Sequence, residues 1–145
     1  MNDTRRYVPH LLVVIGVAAA AAVAVTPRLF ALSESPEFCG SCHVMSTEYR
    51  TFLHDGAHRR DLCVDCHLPN RGFIEHLAWK SYDGMKDVVF FFGGLVREPI
   101  AITEHGKKTV LQNCVRCHGD VTARMDTTRD CTGCHRRHTH KGVGR

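Results

Sequence analysis

At 145 residues, with 43% hydrophobic and 23% charged residues, the chain has room for one domain at most. Its formal charge of +4 is small and gives no argument for nucleic acid as a partner. Eight cysteines and eleven histidines are what any reading has to explain.

Met1 to Arg6 is short and polar, and Arg5 and Arg6 stand just before an apolar run, Leu11 to Val25, that holds no charge and no proline. Tyr7 to Thr26 supplies the roughly 20 residues that a helix needs to cross a bilayer core. The arginine pair is expected to stay on the inner side, which sends the rest of the chain out. Pro27 is expected to end or kink this helix, although Leu29 to Leu32 could extend it at the outer surface with Arg28 reaching for headgroups. His10 is read as an interfacial residue. The sequence thus divides into a cytoplasmic N-terminus (1–6), a transmembrane anchor (7–32) and a domain outside the membrane (33–145). The competing reading is a cleaved signal peptide, with Ala20-Ala21-Ala22 or Val23-Ala24-Val25 facing the peptidase; length favours the anchor.

Ser33 to Phe38 is a short linker in which Pro36 starts a turn or a helix. Then comes Cys39-Gly40-Ser41-Cys42-His43, a C-x-x-C-H pattern that recurs at Cys63 to His67, Cys114 to His118 and Cys131 to His135. The pattern marks c-type haem attachment: two thiols add to the haem vinyl groups and the adjacent histidine is placed to ligate the iron. Four copies take Cys39, Cys42, Cys63, Cys66, Cys114, Cys117, Cys131 and Cys134, so four covalently bound haem c groups are expected and no disulfide framework remains. Paired zinc ribbons also use C-x-x-C, but they give no reason for a histidine after every second cysteine. Attachment of this kind in bacteria takes place outside the cytoplasmic membrane, so every motif has to be translocated.

Residues 33–145 are too few for an ordinary protein core around each of four haems. The expected fold is mainly α with irregular loops and little or no β: one transmembrane helix followed by a compact tetrahaem domain whose core is the haem itself. Removing haem should unfold it, because attachment and folding are then linked. Arg59, Arg60, Arg136, Arg137 and Lys141 are expected to neutralise propionates or to face solvent, and the tail is expected to fray beyond His140.

After the second motif, Pro69-Asn70-Arg71-Gly72 reads as a turn and Phe73 to Phe92 as a helix, with apolar residues at Phe73, Leu77, Met85, Val88 and Val89. Gly93-Gly94 breaks it, and Pro99 opens a link to the second pair of motifs. On this helix Lys80, Asp83 and Asp87 fall at i, i+3 and i+7 and share a face. Spacing alone does not separate a working face from a solvated one. Trp79 and the run Val88 to Phe92 would suit a membrane interface.

Four histidines close the motifs and His10 lies in the anchor, which leaves His54, His58, His76, His105, His138 and His140 for at most four distal places. Two histidines on one iron suit electron transfer rather than substrate chemistry. At the first motif His43 and Met45 are too close in sequence to reach opposite faces of one haem. Either Met45 replaces His43 on the same face or Met45 is packing, and spacing alone favours packing. Only six residues separate Leu32 from Cys39, a reach of roughly 20 Å, so a lipid-soluble donor could approach the first haem.

Four such motifs behind one anchor, the first extended to Cys42-His43-Val44-Met45, resemble the NapC/NirT family of membrane-anchored quinol dehydrogenases. The short length and the segment Lys80-Ser81-Tyr82-Asp83-Gly84-Met85-Lys86-Asp87 are most similar to its NrfH branch, the small subunit of cytochrome c nitrite reductase. The resemblance implies that Met45 ligates the first haem with His43 off the iron. It implies that His58 pairs with His118 on the third haem and His140 with His67 on the second, His138 being the near competitor of His140. For the fourth haem, on His135, it implies a distal ligand from a partner subunit, a place that His105 or His76 could instead fill internally. It also implies a quinol site beside the first haem, built on Lys80 and Asp87 with Asp83 as an extra acid. A carboxylate that accepts a proton and a cation that orients the quinol oxygen suit quinol oxidation. The function so implied is oxidation of menaquinol at the outer surface of the bacterial inner membrane and delivery of electrons to a larger periplasmic multihaem cytochrome c reductase, the nitrite reductase catalytic subunit. The rivals are a soluble periplasmic tetrahaem carrier released by signal cleavage, a quinol dehydrogenase serving a different terminal reductase, and a reductase acting at an open fourth haem.

Overall fold

A computed structural model describes residues 4–54 and 57–140, with backbone alone at residues 4–6 and 137. The side chains of Arg5, Arg6 and Arg137, together with Lys141 and the tail beyond His140, lie outside the described residues. Among the described residues there are helices and turns and no strand, as the sequence predicts. The chain forms two units, Met1–Ser35 and Pro36–Arg145.

The first unit is one helix, α1 (Thr4–Leu32). Its segment Tyr7–Leu32, with 26 residues and mean hydropathy 2.4, is long and apolar enough to cross a membrane. Pro27 does not end it. The helix runs through Pro27 for five further residues, and Thr26 Oγ1, just before the proline, donates to the Ala22 carbonyl at 2.6 Å. Ser33 continues the last turn, its amide bonding Leu29 O at 3.0 Å and its hydroxyl bonding Phe30 O at 2.7 Å. These bonds satisfy carbonyls that a helix end leaves open.

The second unit opens with α2 (Pro36–Gly40), where proline at the first helical position needs no partner for an N–H. A 3-10 turn (His43–Met45) leads into α3 (Ser46–Leu53). The two helices meet closely at Gly40: a Cβ there would lie 2.6 Å from the Tyr49 ring, so only glycine admits the approach. The short α4 (Cys63–His67) carries the second motif, with Asp65 Oδ2 accepting from the Leu62 amide at 2.9 Å. The long α5 occupies Phe73–Phe92, the predicted span, and ends at Gly93 and Gly94, the latter at φ +64.

A further helix, α6 (Glu104–Thr122), stands where the sequence reading has a link. Thr103 caps it, its hydroxyl accepting from the Gly106 amide at 3.1 Å, and the third motif occupies its second half. At His118 the backbone leaves helical values (φ −109, ψ 24), which turns the chain at the motif histidine. The fourth motif lies on two 3-10 turns, Cys131–Gly133 and Arg136–Thr139.

Few side chains are buried. Among the described residues the buried apolar ones are Phe52, Val64 and Leu68, joined by Thr109 and Asn113. Three apolar side chains, each contributing about 2 kcal/mol, cannot offset the ordering of a domain this long. The packing that does exist is polar and specific. Asn113 on α6 donates to the carbonyls of Cys66 (3.0 Å) and Leu68 (2.8 Å), closing the end of α4. Asn70 donates to Leu68 O at 2.9 Å and Asp65 O at 3.1 Å, and Arg116 reaches Asp65 O at 3.3 Å.

Candidate functional site

The four motifs lie against one another. The Cys39 and Cys63 thiols hydrogen-bond, as do those of Cys114 and Cys131, while Cys66 lies within electrostatic reach of Cys114 and Cys117. As acceptor from Cys63, Cys39 is lowered to about 7, with Lys80 adding to the effect and burial opposing it. Cys63, the donor, is pushed up by that bond and by burial. Burial raises Cys66 to about 11 and raises Cys114 as well. All eight cysteines are free of disulfides.

Among the described residues no group of three or more His, Cys, Asp or Glu side chains gathers as a zinc ribbon would need. The histidines gather in pairs instead. Two imidazoles on opposite faces of one iron, with metal–nitrogen bonds of about 2 Å, hold their ring centroids roughly 6 Å apart. His67 and His140 stand 6.1 Å apart, and His58 and His118 stand 6.0 Å apart. Burial, with His140 nearby, lowers the His67 pKa, which favours the neutral ring that can ligate a metal. His58 Nδ1 is buried without a hydrogen-bond partner. The residues therefore fit the group that the motifs imply. His140 sits at φ +52, a left-handed conformation uncommon outside glycine and found at functional positions.

His135 and His138 are also 6.2 Å apart, but three residues of a 3-10 turn rise only about 6 Å, too little for two backbones on opposite sides of a haem. His138 instead meets the His58 ring edge to face at 4.5 Å. His105 stacks on Trp79 at 3.5 Å and its Nε2 lies 3.4 Å from the Thr109 hydroxyl, an arrangement of packing rather than of an open ligand. His76 Nδ1 lies 3.1 Å from the Pro69 carbonyl, beside a cavity of about 260 Å³ lined by Asn70, Arg71, Gly72 and Phe73. His54 is exposed and His10 lies in α1.

At the first motif, His43 is exposed and its ring tilts against Phe91 of α5 at 5.4 Å, whereas Met45 is half-buried. Lys80 and Asp87 of the same helix both lie within electrostatic reach of Cys39. The sequence reading missed Lys86. Its ammonium lies 2.6 Å from Asp83 Oδ1 and 3.9 Å from Asp87 Oδ1, tying the two acids together. The i, i+3 spacing of Asp83 and Lys86 was the available signal. Burial lowers the Lys86 pKa but the bond to Asp83 outweighs it, and the net shift is upward. Loss of solvation raises the Asp87 pKa against the pull of Lys86, although its side chain remains 76% exposed and open to a ligand.

Cytochrome c-type protein NrfH of Wolinella succinogenes is 32% identical over 128 residues, which cover 86% of this chain and 72% of that one. Cytochrome c nitrite reductase subunit NrfH of Nitratidesulfovibrio vulgaris is 31% identical over 136 residues, covering 90% and 84%. A crystal structure of the cytochrome c nitrite reductase NrfHA complex bound to the HQNO inhibitor contains a similar chain, with TM-score 0.77, 28% identity and coverage of 92% of this chain and 93% of that chain. Residues 2–142 match the N-terminal region of the NapC/NirT cytochrome c family, and with its attachment motifs and paired histidines the chain belongs to that family of proteins bearing covalent haem c.

Proposed function

We propose that this chain is a membrane-anchored tetrahaem cytochrome c that oxidises menaquinol at the outer face of the bacterial inner membrane and serves a larger periplasmic multihaem cytochrome c, the nitrite reductase catalytic subunit. The two NrfH relatives and the NrfHA complex support the partner, and the apolar α1 is consistent with the anchor. When bound, the haems supply one-electron carriers between the two-electron donor and the partner.

The chain's own residues divide the remaining work. The four cysteine pairs hold the haems. Met45 would ligate the first iron, with His43 set aside on Phe91; His67 with His140 and His118 with His58 would hold the second and third; His135 would hold the fourth, together with a residue of the partner. Asp87 receives a quinol proton, its raised pKa bringing it nearer the range where a carboxylate can hold one. Lys80 orients the quinol oxygen, and Lys86 fixes Asp83 and steadies Asp87.

The observation that carries this reading is the packing of the His43 ring on Phe91 at 5.4 Å, which sets the first attachment motif against the helix that bears Lys80 and Asp87. The test is Asp87→Asn in membranes. Reduction of the haems by menaquinol should be abolished while dithionite still reduces all of them; undiminished quinol-driven reduction would overturn the assignment.

A further inference from the structure

Helix α5 is inside out. A helix on the surface of a water-soluble domain turns its apolar stripe inward and its charges outward. Here the partly covered positions include Glu75, Lys80, Asp83 and Lys86, whereas Ile74, Ala78, Tyr82, Met85, Val89 and Phe92 are exposed. Phe92 is 82% exposed, Ile74 75% and Met85 67%. Spacings of four, four, three, four and three residues put these six on one face, and none carries a charge. The opposite face meets the first motif where Phe91 packs on the His43 ring at 5.4 Å. The 20 residues of α5 extend about 30 Å, so this is a long apolar stripe that the described residues of its own unit leave exposed.

We infer that this face of α5 is a second membrane-contact surface, lying in the plane of the outer interface with its apolar side chains at the acyl boundary. The inference rests on the membrane-anchored reading. The second unit begins at Pro36, and Leu32 ends the apolar span, so four peptide links, at most about 14 Å, tether one to the other. A unit held so short has bilayer as its constant neighbour, while any protein partner comes and goes. The stripe's edge carries Tyr82 and Trp79, packed ring against ring at 5.6 Å, and these residue types favour the headgroup level. Lys86 flanks the stripe with an ammonium on a long stem, as interfacial helices do. In this orientation Lys80 and Asp87 point away from the lipid toward the first motif, so a hydrophobic quinol need not leave the interface to reach them.

The test uses the full haem-loaded chain in phosphatidylcholine/phosphatidylglycerol vesicles without any partner subunit. All native thiols are consumed by haem, so single cysteines introduced as Met85→Cys, Val89→Cys or, as an exposed control on another element, Arg124→Cys can be read cleanly once haem content is verified. A charged maleimide should modify the two α5 sites about tenfold more slowly than the control at every lipid-to-protein ratio. Spin labels at these sites should be more accessible to oxygen than to a nickel chelate. Equal maleimide rates at all three sites overturn the inference. So does protection that fades on dilution with lipid, which marks a second copy, or protection that appears only when the partner subunit is added. A carbonate wash reads the anchor separately: release of the chain overturns both readings, whereas a retained chain with unprotected α5 sites overturns this one alone.

Discussion

Asn113 Nδ2 donates to the Cys66 carbonyl at 3.0 Å and to the Leu68 carbonyl at 2.8 Å, so the residue just before the third motif closes the helix that carries the second. The two attachment sites are registered by an amide that is itself 5% exposed. Replacing it with alanine takes this donor from the Cys66 carbonyl and leaves the Leu68 carbonyl with its bond from Asn70 alone. Asn113→Ala should destabilise the holoprotein by about 2–3 kcal/mol and lower its Tm by several degrees. Thermal unfolding followed at the Soret band measures this, and an unchanged Tm would remove the clasp from the account.

The charged face of α5 predicts a pH profile. Lack of solvation raises the Asp87 pKa, Lys86 pulls it back down, and Asp83 pushes it up. If Asp87 must be ionised to take the quinol proton, the rate of menaquinol-driven haem reduction falls as pH drops through that raised pKa. Lys86→Met removes the cation that favours the carboxylate, so the acid limb should move to higher pH while dithionite reduction stays unchanged. Rates across pH in membranes decide it; a limb that moves to lower pH contradicts the arrangement.

The paired histidines differ in one respect that spectroscopy reads. The rings of His67 and His140 are 24° from parallel, those of His58 and His118 are at 76°. Near-parallel imidazoles split the iron d orbitals that point between the ligands, whereas crossed imidazoles leave them almost degenerate. Electron paramagnetic resonance of the ferric protein should show an ordinary rhombic low-spin signal and a second, strongly anisotropic one. His140→Ala should abolish the rhombic signal and His138→Ala should spare it; the reverse result would make His138 the ligand.

Gly40 predicts a local steric failure. A methyl group at this position meets the Tyr49 ring at 2.6 Å, and the cost of such overpacking is about 1–3 kcal/mol. Gly40→Ala should loosen α2 against α3 and lower the yield of fully loaded protein, and Gly40→Ala with Tyr49→Leu should recover it. Haem per chain, measured after purification, is the readout.

What the sequence disclosed follows from what each signal depends on. Helix α5 is read from periodicity closed by Gly93 and Gly94, so it appears with the predicted bounds. The pairing of His67 with His140 and of His58 with His118 depends on contacts across 73 and 60 positions, which spacing cannot supply and the family resemblance did. Helix α6 escaped because its first turns are polar, although Thr103 before Glu104 was a start signal. Pro27 left two outcomes open, an end or kink and a continuation through Leu29 to Leu32, and the helix takes the second, running five residues beyond the proline. Lys86 escaped because a basic residue between two acids on a helix is usually a solvated ion pair.

That Phe52, Val64 and Leu68 are the buried apolar side chains among the described residues bears on how the chain matures. A polypeptide with so little to bury has no stable compact state to wait in before its thioether bonds form. Attachment and folding would then be one process, and the order in which the motifs are filled would be the folding pathway. Chains halted after one or two attachments should be digested by periplasmic proteases, so partly loaded forms should be scarce in cells even when haem is limiting.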